Sequence, residues 1–334
     1  MPRLSRLCTA AALAVALAVP SARAAEPDKY LPAETDTVAF VNVKQLVASD
    51  VAKKFILEQV KQFLDGEDTK KILDEMGLDP LKDIDTVWVG TSGDERKDLK
   101  VLTVLHGKFD RDKVFKGIEV ASKKDENFSL IKDGDTTMFQ YKPPARGEGR
   151  EPPSPVYGTV VDEKTIAIGT TKDLVAAAKK RSGETDAKPQ LSARLAGMVK
   201  KMDAKSSLFA VSLVKGKFKD VKLPAAGVID LSALQKSLPD TDTISIVVNI
   251  TANVDLQVVF GMKDEDAASD MGDAVAKLVD NLKALVPILA AADERAKPLV
   301  DVMKTVKSDV KNKTVTLSGM VSGDNIAKML RPGE

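Results

Sequence analysis

Few side chains in this sequence have the type and spacing to do chemistry. His106 is the single histidine of the 334 residues, so a two-histidine metal site or a histidine relay has no second member. It stands directly before Gly107 at the end of a strand-like run, where a base would need a positioned nucleophile beside it. None is near it in sequence, and a capping or surface role is expected. The only cysteine, Cys8, falls in an N-terminal apolar stretch, leaving no thiol chemistry, disulfide or cysteine metal site downstream. The acidic run Asp264-Glu265-Asp266, continued by Asp270 and Asp273, does not make a calcium loop. Ala268 occupies a ligand position and the central glycine is missing. These carboxylates fit the first turn of a helix, at the positive end of its dipole. No P-loop, dinucleotide glycine fingerprint, nucleophile elbow or H-E-x-x-H run is present. Catalytic residues, cofactor and metal are therefore each expected to be none.

Charge adds a second exclusion. Lys and Arg total 50 against 49 Asp and Glu, and Lys179-Lys180-Arg181 and Lys200-Lys201 lie at helix C-termini, where the dipole favours them. Nothing resembles the basic footprint of a nucleic-acid binder, and no nucleic-acid partner is expected. Trp88, between Val87 and Val89, reads as core rather than as a sugar platform.

One stretch is built to be seen by a partner. Residues 142–155, KPPARGEGREPPSP, hold five prolines and nothing to pack, which predicts an exposed, partly extended arm. Pro152, Pro153 and Pro155, next to Tyr157, are the expected partner-binding residues, in the manner of an extended proline segment read by an aromatic groove.

The elements that must carry these residues follow from one unit written twice. Asp85 to Lys124 reads as strand, polar turn, strand ending in glycine, and acid-capped helix; the pattern recurs from Asp242. Gly107-Lys108-Phe109-Asp110 answers Gly261-Met262-Lys263-Asp264, and Lys164-Thr165-Ile166 answers Lys313-Thr314-Val315. In the second copy Ile244, Ile246, Val248 and Ile250 alternate with Ser245 and Asn249, the period of a sheet buried on one face. Upstream, Val51, Phe55, Ile56, Val60, Phe63 and Leu64 form one helical face. Downstream of Asp264 a long apolar periodicity is interrupted by Pro287 and Pro298, which predicts a kinked or broken helix lying across its sheet rather than a coiled coil.

The resulting expectation is an α+β fold, internally duplicated, with two antiparallel sheets that each carry helices on one face. Residues 1–24 (Arg3, Arg6, an apolar run from Leu7 to Val19, then Ala22-Arg23-Ala24) read as a signal peptide. A lead at 25–35, a first unit at 36–180, a linker at 181–190 and a second unit at 191–330 follow, with no transmembrane segment after signal cleavage. Such a chain is expected to be exported, to a periplasmic or extracellular location.

Leu31-Pro32-Ala33-Glu34-Thr35-Asp36 and Gly77-Leu78-Asp79-Pro80-Leu81-Lys82-Asp83-Ile84-Asp85 resemble uncharacterised exported bacterial proteins that open "LPADT" and carry "G-(L/F)-DP-x-KD-(I/L)-D". The likeness spans mainly residues 31–110. It implies an envelope or secreted location and a duplicated α+β fold, and brings no activity. The leading functional expectation is a non-enzymatic exported protein that binds another protein or an envelope component. The alternatives are a carrier of a lipid or other apolar small molecule, which needs an enclosed apolar cavity, and a hydrolase working with carboxylates alone, which needs two acids across a cleft.

Overall fold

The computed structural model describes residues 23–93, 99–144, 153–223 and 229–330. After the lead the chain enters β1 (Thr37–Asn42), then the short helices α1 (Val43–Ala48), α2 (Asp50–Phe55), α3 (Leu57–Leu64), α4 (Glu67–Met76) and α5 (Pro80–Asp83). Strands β2 (Ile84–Ser92) and β3 (Lys100–Gly107) are followed by α6 (Arg111–Ser122), the hairpins β4 (Phe128–Asp133), β5 (Thr136–Tyr141), β6 (Val156–Asp162) and β7 (Thr165–Gly169), and α7 (Lys172–Ser182). The rest comprises α8 (Ala193–Val199), β8 (Leu208–Leu213), α9 (Ser232–Ser237), β9 (Thr241–Ile250), β10 (Asn253–Met262), α10 (Glu265–Ala292), α11 (Lys297–Thr305), β11 (Lys307–Lys311), β12 (Thr314–Ser322) and α12 (Gly323–Leu330).

The fold is α+β, but the strands form one sheet where two were expected. Its order is β11-β12-β10-β9-β8-β1-β2-β3-β7-β6-β5-β4, antiparallel throughout. What joins the sequence-predicted sheets is a pairing between β1 and β8, with Val38 opposite Val211 and Phe40 opposite Phe209. Each of these strands would otherwise leave a row of unpaired backbone groups at an edge, a configuration that invites pairing. Aromatic stacking fixes the junction: the Phe40 and Phe209 rings lie 4.9 Å apart, and Trp88 packs 4.7 Å from Phe40. Trp88 is core, as its sequence context predicts.

Read outward from this junction, the strand order is β1-β2-β3-β7-β6 on one side and β8-β9-β10-β12-β11 on the other. The details repeat as well. Asp110 and Asp264 each cap their helix, accepting the backbone N–H groups of Lys113 and Ala267 at 3.1 and 2.8 Å. The Lys108 N–H reaches the Asp83 carbonyl at 2.9 Å, and the Lys263 N–H reaches the Asp240 carbonyl at 3.0 Å. Gly107 and Gly261 sit where the ladders slip register, and a Cβ on Gly107 would lie 1.9 Å from the Asp83 carbonyl oxygen. Only glycine admits so close a backbone approach.

Two helical expectations change, and one strand comes without a sequence signal. The stretch after Asp50 is two helices broken at Ile56, and its predicted core face is buried only at Val51, half-buried at Phe55, Val60 and Leu64, and exposed at Ile56 (42%) and Phe63 (73%). The long helix runs through Pro287 to Ala292, and its break comes before Pro298, which opens α11 in the first turn, where a missing N–H costs nothing. Strand β11, Lys-Ser-Asp-Val-Lys, has no apolar face and carries no sequence signal for a strand; all five residues are exposed.

Candidate functional site

Two places concentrate the features that sequence reading singled out, and they lie on opposite faces of the sheet. On one face the lead closes over the core. Leu31 and Tyr30 are buried with Val38, Phe40, Trp88, Leu102, Val104 and Phe209, beneath α7 and α8. His106 points to this face from the end of β3, and its Nε2 meets Asp28 Oδ2 at 2.5 Å. The other Asp28 oxygen accepts the Tyr30 N–H at 2.8 Å. On the far side of the imidazole, Thr165 Oγ1 lies 3.4 Å from Nδ1. The Tyr30 hydroxyl donates to Asp162 at 3.1 Å. Burial first, and then the negative charge of Asp162, push the Tyr30 hydroxyl up to about 12. Burial, reinforced by the charge of Arg111, draws Lys179 below its ordinary range while its amine donates to the Val161 carbonyl.

Carboxylate, imidazole and hydroxyl thus stand in the order of a nucleophilic triad. The hydroxyl is sealed: Thr165 is 3% exposed, so a substrate has no approach to it. The arrangement clasps the lead to the sheet. His106 therefore has a partner 78 residues away, in place of the capping or surface role expected of it. No local pattern could have signalled a contact of that separation.

The opposite face of the central strands is different. Registers put Ala39 and Val41 of β1, Val87 and Val89 of β2, Leu208 and Ala210 of β8, Ile246 and Val248 of β9 and Val258 of β10 on one side. Every one is only half-buried, and Leu256 beside them is 44% exposed. Their neighbours along the same central strands, Val38, Phe40, Trp88, Phe209 and Val211, are buried on the other face. Helices on the apolar side leave the centre thinly covered. The α10 helix buries Met271, Val275 and Val279 over Val315 and Phe260, and α6 buries Val114 and Ile118 over Val160 and Ile166. The alternation of Ile244, Ile246, Val248 and Ile250 predicts core, yet all four are only half-buried, between the cluster under α10 and the one under α6. Ser245, Asn249, Asp255, Gln257, Thr314, Thr316 and Ser318 do share the other side, as their spacing predicts.

Of the proline arm, residues 145–152, and with them Pro152, lie outside the described residues. Pro153 is exposed and Pro155 half-buried. Tyr157 belongs to β6, where its hydroxyl accepts from Gln140 Nε2 at 3.1 Å and Lys172 Nζ sits 5.8 Å from its ring centre. Its ring is thus held in the sheet rather than displayed with the prolines. Among the described residues no cluster of three or more potential metal-binding side chains occurs, and no helix is long and apolar enough to cross a membrane.

Clefts elsewhere are open to solvent. One of about 440 Å³ is floored by Val47, Leu57, Leu64, Leu73 and Leu78. Another, of about 660 Å³, is lined by Asp83, Asp110, Asp112 and Glu163 together with Lys and Arg side chains. Two of those acids are already engaged, Asp83 with the Asp79 N–H at 2.6 Å and Asp110 as the cap of α6.

No protein-family model matches the chain, and no curated protein matches it in sequence. Among solved structures it is similar to crystal form I of TP0453, with a TM-score of 0.46 at 11% identity over 92% of this chain and 98% of that one. Crystal form IV of TP0453 gives a TM-score of 0.46 at 10% identity, over 92% of this chain and 96% of that one.

Proposed function

We propose that this chain is an exported, non-enzymatic protein that binds another protein or an envelope component, and that the apolar face of its central strands is the contact surface. The observation that carries the reading is the asymmetry across β1, β2 and β8: one face is buried, the other presents Ala39, Val41, Val87, Val89, Leu208 and Ala210 half-covered. A contiguous apolar surface left open marks an interaction site more often than a defect of packing. The sealed hydroxyl beside His106 agrees with a role other than catalysis. Export rests on the leader pattern, and a place among the uncharacterised exported "LPADT" proteins rests on residues 31–110. We also infer an internal duplication, supported by the matching strand orders on the two sides of the β1–β8 junction and by the repeated caps at Asp110 and Asp264.

A second reading, a carrier of a lipid or other apolar small molecule, has as its candidate seat the cleft over Val47, Leu57 and Leu64, which is open to solvent rather than enclosed. Its volume, about 440 Å³, falls within the ~300–1,000 Å³ of small-molecule sites. Capture experiments on the mature protein separate the two: a macromolecular partner lost on placing a lysine at Val248 supports the first, and an apolar small molecule seen by native mass spectrometry supports the second. In the acidic cleft Asp83 and Asp110 serve the backbone, so a carboxylate-only hydrolase would have to work with Asp112 and Glu163.

A further inference from the structure

The sheet has two open edges, and they are built differently. Strand β11 ends one side with Lys307, Asp309 and Lys311 in alternation, the charged pattern that discourages edge pairing. The α10 helix packs against it closely enough that a Cβ on Gly272 would lie 2.3 Å from Val310. Strand β4, at the other end, packs against α6 on one face but lacks the alternating charges along its edge. It reads Phe-Ser-Leu-Ile-Lys-Asp, runs against β5 without a register shift, and contains no proline. Its charges are confined to the last two residues. Leu130, in the middle, is 38% exposed.

We propose that two copies of this chain associate through β4, antiparallel and about a twofold axis at Leu130, continuing the sheet from one molecule into the next. Opposed residues of an antiparallel ladder share a face, so the register must keep parity. With Leu130 opposite its own copy, Phe128 faces Lys132 of the second copy on the helix side. Ser129 faces Ile131 on the other. An aliphatic pair is then flanked on both sides by a lysine against an aromatic ring, a favourable combination, and no two like charges are opposed. The same patch serves both molecules, as a twofold interface requires. A strand of six residues buries less than the ~1,200 Å² at which stable interfaces begin, so the association is concentration-dependent.

Sedimentation velocity of the mature chain over a wide concentration range tests this directly. The expected result is a shift from monomer towards dimer as concentration rises, abolished by Leu130→Lys, which removes no buried side chain. In the mature chain, which begins after Cys8, Leu130→Cys places two thiols across the axis, where opposed Cβ atoms are about 4.5–5.5 Å apart. Mild oxidation then yields a covalent dimer, while Lys307→Cys on the other edge stays monomeric. A wild-type chain that is monomeric throughout overturns the proposal. So does a dimer unaffected by Leu130→Lys, or cross-linking at Lys307→Cys as efficient as at Leu130→Cys.

Discussion

Asp28 illustrates how much one side chain of the lead holds. Its two oxygens meet His106 and the Tyr30 N–H, and its side chain is 7% exposed. Replacing it with alanine strands both partners in a site that water reaches poorly. The expected loss in urea unfolding is about 1–3 kcal/mol, without loss of secondary structure. Tyr30 supplies the pH dependence. Its hydroxyl is held above its ordinary 10.0, at about 12, so the folded state keeps a proton that the unfolded chain releases. That stabilisation is fully present below pH ~10 and is lost as pH rises through ~12. Absorbance titration should resolve a late-ionising tyrosine, missing in Tyr30→Phe. The variant should also lose less stability than the wild type between those two values. None of this was legible in the sequence: Asp28, Tyr30, His106, Asp162 and Thr165 are brought together only by the closing of the sheet.

At the scale of elements, caps and stops were legible because they are local. Asp110 and Asp264 begin their helices, and Gly77, at φ 59°, ends α4 in the left-handed conformation its sequence context predicts. Helix interiors were less so. Pro287 alone predicts a break, but α10 continues past it, because the packing of Val286 and Ala290 on either side outweighs one lost hydrogen bond. The proline is exposed and faces solvent. Pro287→Ala should therefore restore the bond and raise stability by about 1–3 kcal/mol, read from the thermal midpoint. An unchanged or lowered midpoint would contradict this. The apolar face predicted on α2 and α3 is only partly buried, for a different reason. Periodicity reports amphipathic character, and a helix can satisfy it with an exposed stripe when no layer lies opposite, as at Phe63.

The whole molecule depends on a pairing between strands far apart in the chain. Alternation marks strands such as Ile244–Ile250 and says nothing of which edges will meet. That is why two sheets were expected and one is found. The β1–β8 junction makes the halves share a core around Phe209, with Trp88 5.8 Å away. The single tryptophan thus reports on the joint itself. Its fluorescence and the far-UV circular dichroism should unfold in one coincident transition. Phe209→Ala, emptying a fully buried site, should lower both midpoints together and cost about 3–5 kcal/mol. A tryptophan signal that melts separately would assign the halves independent stability.

The exposed apolar face belongs to the same scale, since it exists only because the helices cover the two ends of a long sheet and leave its centre open. The most direct measurement is capture from the native envelope with the mature protein as bait. Three baits are needed: the wild type, Val248→Lys on the apolar face, and Gln257→Lys on the opposite face of β10, with circular dichroism confirming that both variants fold. A partner should be held by the wild type and by Gln257→Lys and released by Val248→Lys. Capture undiminished in Val248→Lys, or no specific capture by the wild type, would contradict it.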